Sequence, residues 1–353
     1  MENNNSEILI IGGGLTGLTL AYYLQQQGID YQLVEARDRL GGRIFTRQLD
    51  NNGHIDMGAA WLWPQNKAVI ELLKTLGLKI FEQHMGSTAF YEPMSSSPPM
   101  LVNLPPNDVP SYRIVGGTSS LINQLAESLD EERIHLLQAV NKIENRAENL
   151  LVSTENTTFQ ARKVVSTLPP ALFFKLIEVN EPMPEELIEV AATTQTWMGE
   201  SIKIGLSYAS PFWLEKNLSG TVFSNAGPIP EMYDHSNYEQ NAFALMGFLN
   251  GSFHAVSKEK RLALILNQLS KYYGERVKDY LSYEERVWRV EKFTFTDYPT
   301  SVLPHQNNGH EVYKKAYLDG KLFFGGTETS AAYSGYMEGA ILSANRIFKT
   351  INQ

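Results

Sequence analysis

The sequence of 353 residues contains no cysteine. This absence excludes disulfide bridges, thiolate metal sites, a cysteine nucleophile and any cofactor attached through sulfur. Positive charge is also scarce, because 30 Lys and Arg residues stand against 39 Asp and Glu residues and give a formal net charge of −9. A protein that binds nucleic acid needs the opposite balance, since cationic side chains neutralise the phosphates. We therefore expect no nucleic-acid partner.

Long apolar stretches are missing as well. No apolar run approaches the roughly 20 residues that a membrane-spanning helix needs. The opening residues, MENNNSE, lack the basic and apolar regions of a secretory signal. We therefore expect no membrane partner and a cytoplasmic location. The seven histidines have no partner at the spacing typical of metal ligands, so we also expect no metal site.

The N-terminal part of the chain has the order strand, helix, strand. A β-branched run, EILIIGG, precedes a helical pattern that ends at Gly28, and a second buried run, IDYQLVEA, follows. This order predicts two parallel strands joined by a crossover helix. Gly12, Gly14 and Gly17 form the pattern G-x-G-x-x-G where the first strand meets the helix.

This glycine pattern is typical of dinucleotide binding. The first glycine permits a tight turn, the second lets the backbone approach a pyrophosphate, and the third lets helix and strand pack closely. The helix N-terminus supplies free N–H groups for the phosphates. Glu35 closes the second strand, eighteen residues after Gly17, where its carboxylate can accept hydrogen bonds from a ribose. The pattern alone does not say which dinucleotide binds.

A second glycine pair follows in the stretch EARDRLGGR, from Glu35 to Arg43. Gly41 and Gly42 permit another close backbone approach, and Arg43 can neutralise phosphate charge. A nicotinamide-dependent dehydrogenase does not need this second glycine pair and its arginine. The stretch resembles the glutathione-reductase-like flavoproteins, and in particular the flavin-dependent amine oxidases of the monoamine oxidase family.

The resemblance extends along most of the chain. It is carried by the segments DMGAAWL, VGGTSSLINQLAESL, QAVNKI, VVSTLPP, SIKIGLSYASPFW and ERVWRVEKFTFTDYP, and most specifically by GKLFFGGTETSAAYSGYMEGA. It implies an α/β fold with a glutathione-reductase-like Rossmann FAD-binding domain and an α+β substrate domain of mixed sheet and helices. The FAD-binding domain would comprise residues 1–78, 112–171 and 288–353, and the substrate-binding domain residues 79–111 and 172–287.

The resemblance also implies FAD as the cofactor. The FAD would be non-covalent, because Asp297 stands where some family members carry a cysteine bonded to the flavin. The first glycine pattern and the C-terminal segment GKLFFGGTETSAAYSGYMEGA are two glycine-rich strand-to-helix joints at opposite ends of the chain. Both would bind this one FAD. The residues implied to bind it are Gly12, Gly14, Thr16, Gly17, Glu35, Ala36, Arg37, Gly42, Arg43, Gly58, Ala59, Ala60, Trp61, Val140, Trp288, Gly326, Thr327, Glu328, Gly335, Tyr336 and Met337.

Three residues are implied to be catalytic: Lys203, Tyr298 and Tyr336. Apolar residues alternate with Lys203 in SIKIGLSY, and this alternation alone predicts a half-buried strand with the lysine facing solvent. The resemblance instead places the lysine beside a water near the flavin N5 atom. Tyr298 and Tyr336 would form two parallel aromatic walls that align a substrate amine with N5.

The implied reaction is oxidation of an amine C–N bond by hydride transfer to flavin N5, followed by imine hydrolysis and release of hydrogen peroxide. The implied partners are a small-molecule amine and dioxygen, and a homodimer is left open. One alternative is another FAD oxidoreductase of the desaturase, protoporphyrinogen oxidase or reduced-nicotinamide oxidase type. Another is a flavin-binding protein without turnover. The short segment between Gly58 and Gly116 favours a wider active site, or one that a partner or second subunit covers.

Overall fold

The computed structural model describes residues 4–50, 53–106 and 108–352. The first three residues of MENNNSE, on which the expected lack of a secretory signal partly rests, lie outside these ranges. The α-helices within the described ranges are α1 (Leu15–Gln26), α2 (Lys67–Thr75), α3 (Ser119–Glu127), α4 (Pro170–Leu176), α5 (Glu185–Ala192), α6 (Lys258–Tyr273) and α7 (Met337–Ile351).

Strands make up most of the remaining regular structure. Within the same ranges they are β1 (Asn5–Ile11), β2 (Tyr31–Val34), β3 (Thr46–Gln48), β4 (His54–Asp56), β5 (Ile80–Glu82), β6 (Thr88–Glu92), β7 (Met100–Asn103), β8 (Tyr112–Ile114), β9 (Ile134–His135), β10 (Lys142–Asn145), β11 (Leu150–Ser153), β12 (Thr158–Ser166), β13 (Glu178–Val179), β14 (Ile202–Tyr208), β15 (Val222–Ser224), β16 (Glu231–Asp234), β17 (Phe243–Leu249), β18 (Ser282–Val287), β19 (Ala316–Tyr317) and β20 (Leu322–Phe324).

The first of two large sheets has the order β13-β10-β11-β12-β1-β2-β9, with β20 pairing β12 and β19 pairing β20. β1 is parallel to both β2 and β12, as the predicted crossover requires. Successive residues of β1 enter different cores: Ile8 and Ile10 pack with α1, α3 and α7, whereas Leu9 and Ile11 pack on the opposite side. A parallel sheet that is covered on both faces needs such a continuously apolar strand.

The close packing of α1 on β1 depends on Gly17. A Cβ atom at this position would lie 2.0 Å from the carbonyl oxygen of Gly12. Any larger residue would therefore push the helix away from the strand. The third glycine of the pattern thus serves helix–strand packing rather than direct contact with a ligand.

The second large sheet has the order β18-β14-β17-β16-β15-β6-β7. β14 is antiparallel to both of its neighbours, β17 and β18. One face of the sheet packs on α6, where Ile202, Ile204 and Leu206 share a core with Ile265 and Leu269.

The opposite face of β14 is covered as well. Gly205 lies so close to Ile55 of β4 that a Cβ atom would be 2.7 Å from its side chain, and Ala244 and Met246 join the same cluster. Every residue of β14 is buried as a result. The alternation in SIKIGLSY predicts a solvent-facing Lys203, and this prediction is wrong because a second layer covers that face.

β7 pairs with β6 and forms an edge of the second sheet. Residues 172–192 were assigned to the substrate domain, but Phe173 and Leu187 share a core with Leu9 of the first sheet, and β13 pairs with β10. The proposed domain boundary therefore falls inside α4.

Candidate active site

The N-terminal glycine-rich joint faces a groove. α1 begins after Gly14, and within the described structure no side chain caps its N-terminus. No described atom lies within 4 Å of the place where a Cβ atom of Gly14 would stand, so space is open above the helix N-terminus. Free N–H groups and the positive end of the helix dipole suit a pyrophosphate at this position.

The C-terminal joint opens onto the same groove. β20 ends at Phe324, Gly326 adopts a φ of 99°, and α7 begins at Met337. Thr16 Oγ1 of α1 donates to Ala340 O of α7 over 3.1 Å, which ties the starts of the two helices together. Residues at both helix N-termini therefore line one groove.

Glu35 follows β2 directly and lines the groove. Its carboxylate accepts hydrogen bonds from the backbone N–H groups of Gly13, at 2.7 Å, and Arg37, at 2.9 Å. These contacts fix the carboxylate and leave it able to accept further hydrogen bonds, since each oxygen has two lone pairs. The Arg37 guanidinium donates to Thr294 Oγ1 at 2.7 Å and holds the facing loop at the groove.

Arg43 stands where the groove meets a second cavity. Its guanidinium contacts both carboxylate oxygens of Glu328, at 2.7 and 2.9 Å, and donates to Trp197 O at 3.1 Å. Two parallel contacts to one carboxylate hold the Arg43 guanidinium in a single orientation. The fully buried Glu328 therefore acts on the groove through Arg43.

Most residues predicted to bind the cofactor line this groove. They are Gly12, Gly14, Thr16, Glu35, Ala36, Arg37, Gly42, Arg43, Ala59, Val140, Gly326, Thr327, Gly335, Tyr336 and Met337. Four others, Gly58, Ala60, Trp61 and Trp288, line the second cavity instead. In the part of the chain that the structure describes, Gly17 and Glu328 line neither surface.

The groove and the second cavity meet at five shared residues: Arg43, Ala59, Gly335, Tyr336 and Met337. The cavity has a volume of about 480 Å³. Its aromatic lining consists of Trp61, Trp63, Trp197, Tyr233, Phe248, Trp288 and Tyr336. A largely apolar cavity with a few polar groups is typical of a small-molecule site. A cofactor that runs along the groove would present one end to a molecule in this cavity.

Lys203 projects into the cavity from β14 and is only 2 % exposed. Its Nζ donates to Gly58 O and lies 5.1 Å from the centre of the Trp61 ring and 5.3 Å from that of Phe248. Burial lowers the pKa of Lys203 to about 7, against the opposing effect of the Asp56 carboxylate. Near neutral pH this amine is therefore partly uncharged, unlike an exposed lysine.

The turn that follows β4 is anchored by buried hydrogen bonds. The Asp56 carboxylate accepts from Thr46 Oγ1 at 2.6 Å and from Thr118 N at 2.8 Å, and the Asp56 N–H donates to His235 Nε2 at 3.1 Å. Burial and the nearby Arg113 lower the pKa of His235 to about 3. The imidazole is therefore neutral, and its Nε2 can accept the hydrogen bond.

These features fit FAD: two uncapped helix N-termini face one groove, a fixed arginine stands at its end, and an aromatic cavity adjoins it. The family model described as "Flavin containing amine oxidoreductase" matches residues 15–96 and 94–347, which is most of the chain. The chain belongs to this family. The oxidoreductase accordingly uses FAD, as the resemblance implies, and it has no cysteine that could bond the flavin.

Curated relatives of the oxidoreductase align with nearly its whole length. Human amine oxidase (flavin-containing) B is 24% identical over 99% of this chain and 86% of its own length. Probable flavin-containing monoamine oxidase A of Dictyostelium discoideum is 23% identical over 98% of this chain and 97% of its own length.

Solved structures share the fold of the oxidoreductase. Wild-type putrescine oxidase bound to putrescine gives a TM-score of 0.86 at 21% identity, over 99% of each chain. Cyclohexylamine oxidase from Brevibacterium oxydans also gives 0.86, at 19% identity, over 99% of this chain and 100% of that one. The predicted fold class is confirmed.

The described residues of the oxidoreductase were compared with what a membrane-spanning helix and a metal site require. None of its described helices combines the length and the apolar character that a membrane crossing needs. The same residues contain no group of three or more His, Asp or Glu side chains that could hold a metal ion. Two of the histidines, His54 and His235, pack edge to face with 6.1 Å between ring centres.

The oxidoreductase does not bring Tyr298 and Tyr336 together at the cavity. Tyr336 lines the cavity, and its ring centre lies 5.6 Å from that of Trp197. The Tyr298 hydroxyl instead accepts a hydrogen bond from Thr196 N at 2.7 Å, and its ring packs edge-on against Phe295. Among the described residues that line the cavity, Trp197 lies beside Tyr336.

Several cavity residues of the oxidoreductase were not predicted, among them Trp197, Glu231, Tyr233 and Phe248. Strand register places two of these side chains. Phe248 pairs with Lys203, and Glu231 pairs with Phe248, so all three project to one face of the second sheet. Only the alternation within each strand was available as a signal, and it does not reveal which strands are neighbours.

The segment between Gly58 and Gly116 supplies part of the cavity wall. Its contributions include Gln83, Met85, Val109 and Ser111. Gln83 Oε1 accepts a hydrogen bond from Trp61 Nε1 at 2.9 Å, which fixes the indole above Lys203. The expectation of a wider or partner-covered site remains a prediction.

Proposed function

We propose that this protein oxidises the C–N bond of a small amine, with dioxygen as the final oxidant. The amine loses a hydride and a proton and becomes an imine, and water hydrolyses the imine to a carbonyl compound and an amine or ammonia. FAD, when bound, supplies the redox chemistry by accepting the hydride and passing two electrons to dioxygen, which takes up two protons and leaves as hydrogen peroxide.

The junction between groove and cavity carries the proposal. Arg43, Ala59, Gly335, Tyr336 and Met337 border both spaces, so a molecule in the cavity can approach the end of a cofactor in the groove. The faces of the aromatic rings that line the cavity attract a cationic amine. This arrangement favours turnover over a purely flavin-binding role.

Lys203 would hold a water at this junction. Its Nζ is fixed by Gly58 O and by the rings of Trp61 and Phe248. Because burial lowers its pKa to about 7, the lysine repels an incoming cationic amine less than an ordinary lysine would. A water held there is available to hydrolyse the imine.

Tyr336 and Trp197 would form the aromatic wall beside the reacting amine. Both line the cavity, and the Trp197 backbone is tied to Arg43. We assign Tyr298 a positioning role, since its hydroxyl binds the backbone N–H of Thr196, next to Trp197.

The test is the absorbance spectrum of the purified holoenzyme, followed anaerobically while putrescine, cyclohexylamine, butylamine and benzylamine are added. We expect at least one amine to bleach the oxidised flavin, and peroxide to appear when air is admitted. Bleaching by a reduced nicotinamide or another non-amine alone would favour a different FAD oxidoreductase. A bound flavin that nothing reduces would favour a protein without turnover.

A further inference from the structure

One carboxylate of the cavity has no ion-pair partner among the described residues, although its charge opposes the fall in the pKa of Lys203. Glu231 is half-buried, lines the cavity from β16, and accepts a hydrogen bond from Tyr233 Oη at 2.8 Å. Within residues 4–50, 53–106 and 108–352, no Lys, Arg or His side chain forms an ion pair with it. The buried carboxylates of Glu285 and Glu328, by contrast, each bind an arginine.

Glu231 lies in one row with Lys203. Lys203 of β14 pairs with Phe248 of β17, and Phe248 pairs with Glu231 of β16. Neighbouring strands are about 4.8 Å apart, so the backbone positions of Lys203 and Glu231 are about 10 Å apart. Directly paired residues project to the same face of a sheet, so amine, ring and carboxylate succeed one another along one cavity wall.

The two ends of this row differ in their distance from the groove. Lys203 Nζ donates to Gly58 O, and the next residue, Ala59, lines both the groove and the cavity. Lys203 and Glu231 both line the cavity and not the groove, but Glu231 lies two strands farther along the sheet. The lysine therefore marks the end at which the proposed oxidation takes place, and the carboxylate marks the remote end.

We infer that Glu231 and Tyr233 bind a second, cationic amino group of the substrate while the first is oxidised at the groove. The inference rests on the proposed amine oxidation and assigns its substrate class, a diamine or polyamine. An unpaired carboxylate in an apolar cavity is unfavourable, and an ammonium ion in contact with it offsets that cost. The faces of Tyr233 and Phe248 add cation–π attraction for the same group.

The kinetic test uses Glu231→Gln, which removes the charge and keeps the side-chain size and an oxygen that can accept from Tyr233. We expect kcat/KM for putrescine and cadaverine to fall at least about tenfold in the holoenzyme, because a desolvated charge pair is lost. The values for butylamine and pentylamine, which lack the second amino group, should stay within about twofold. Glu284→Gln, on β18 of the same sheet and outside the cavity lining, is the control and should leave kcat/KM unchanged for both the diamines and the monoamines.

A binding test does not depend on turnover. Hexamethonium carries two quaternary ammonium groups and cannot form an imine, so its affinity can be measured by calorimetry on the holoenzyme. We expect Glu231→Gln to weaken it at least about tenfold and to leave butyltrimethylammonium, a single cation, within about twofold.

The outcomes separate this inference from the proposed function. The diamine site is overturned if the wild type has equal kcat/KM for diamines and monoamines, and if Glu231→Gln changes neither these values nor the affinity for hexamethonium. That result leaves the proposed amine oxidation standing. A wild type that oxidises no amine overturns the proposed function. Glu231-dependent binding of hexamethonium by that inactive protein would still support a site for a double cation.

Discussion

Lys203 occupies a place where a positive charge is costly. It is buried among aromatic rings, and its pKa falls to about 7 because burial disfavours the charged form. Glu328 is buried too, but its charge is matched by the Arg43 guanidinium. Two residues therefore set the charge where the groove and the cavity meet. Arg43 on the groove side is paired with Glu328, and Lys203 on the cavity side is partly uncharged near neutral pH.

Lys203→Met is expected to raise the free energy of unfolding of the holoenzyme by about 2–4 kcal/mol at pH 6. At that pH both the folded and the unfolded lysine are protonated, so the wild type bears the full cost of the buried charge. Between pH 7 and about 10 the unfolded chain still binds the proton and the folded lysine does not. Wild-type stability then rises with pH, and the advantage of methionine shrinks.

Urea unfolding at several pH values measures this dependence. Lys260→Met, at an exposed position of α6, is the control and should change stability by less than about 0.5 kcal/mol. A gain for Lys203→Met that does not vary with pH would contradict the lowered pKa.

Glu328→Gln is expected to destabilise the holoenzyme by about 2–4 kcal/mol and to weaken FAD retention, because Arg43 loses its charged partner. Flavin fluorescence during urea unfolding reports both effects. Glu311→Gln removes an exposed carboxylate paired with Lys314 and should cost less than about 0.5 kcal/mol. Equal behaviour of the two variants would mean that the Arg43–Glu328 pair does not hold the groove.

At the scale of helices and strands, α2 receives its N-terminal cap from another helix. Asn66 precedes the helix, but its side chain does not cap it, since Asn66 Oδ1 accepts a hydrogen bond from Trp63 N. The Glu338 carboxylate, in the first turn of α7, accepts from Ala68 N at 3.0 Å and Val69 N at 2.9 Å. The cap therefore also joins α2 to α7, the helix that begins at the groove.

Glu338→Ala should cost about 1–2 kcal/mol, since two N–H groups and the positive end of α2 lose a carboxylate. Urea unfolding gives the loss, and amide hydrogen exchange at Ala68 and Val69 should accelerate locally. Glu71→Ala, on the exposed face of α2, is the matched control. Unchanged exchange at both amides in Glu338→Ala would rule out this cap.

Local signals predicted some elements well. The glycine patterns predict both strand-to-helix joints, at the starts of α1 and α7. Burial of Lys203 could not be predicted from its own strand, because it follows from the packing of β4 on β14. Trp197 and Glu231 were missed for a similar reason: their places depend on which distant segments are neighbours.

At the scale of the molecule, the two ends of the chain meet at one groove, and the second sheet places an aromatic cavity against it. Family membership and the fold of two solved amine oxidases agree with this arrangement. We therefore expect a molecule in the cavity to react with the cofactor in the groove at the residues that both spaces share.

Stopped-flow absorbance measures the rate at which an amine reduces the bound flavin in a single anaerobic turnover. We expect exponential bleaching of the oxidised flavin by the best amine of the panel. Bleaching should be slower when the carbon next to nitrogen carries deuterium, because that C–H bond breaks in the step observed. A flavin that stays oxidised with every amine, or that is reduced without any effect of deuterium, would show that no amine in the cavity transfers hydride to the cofactor.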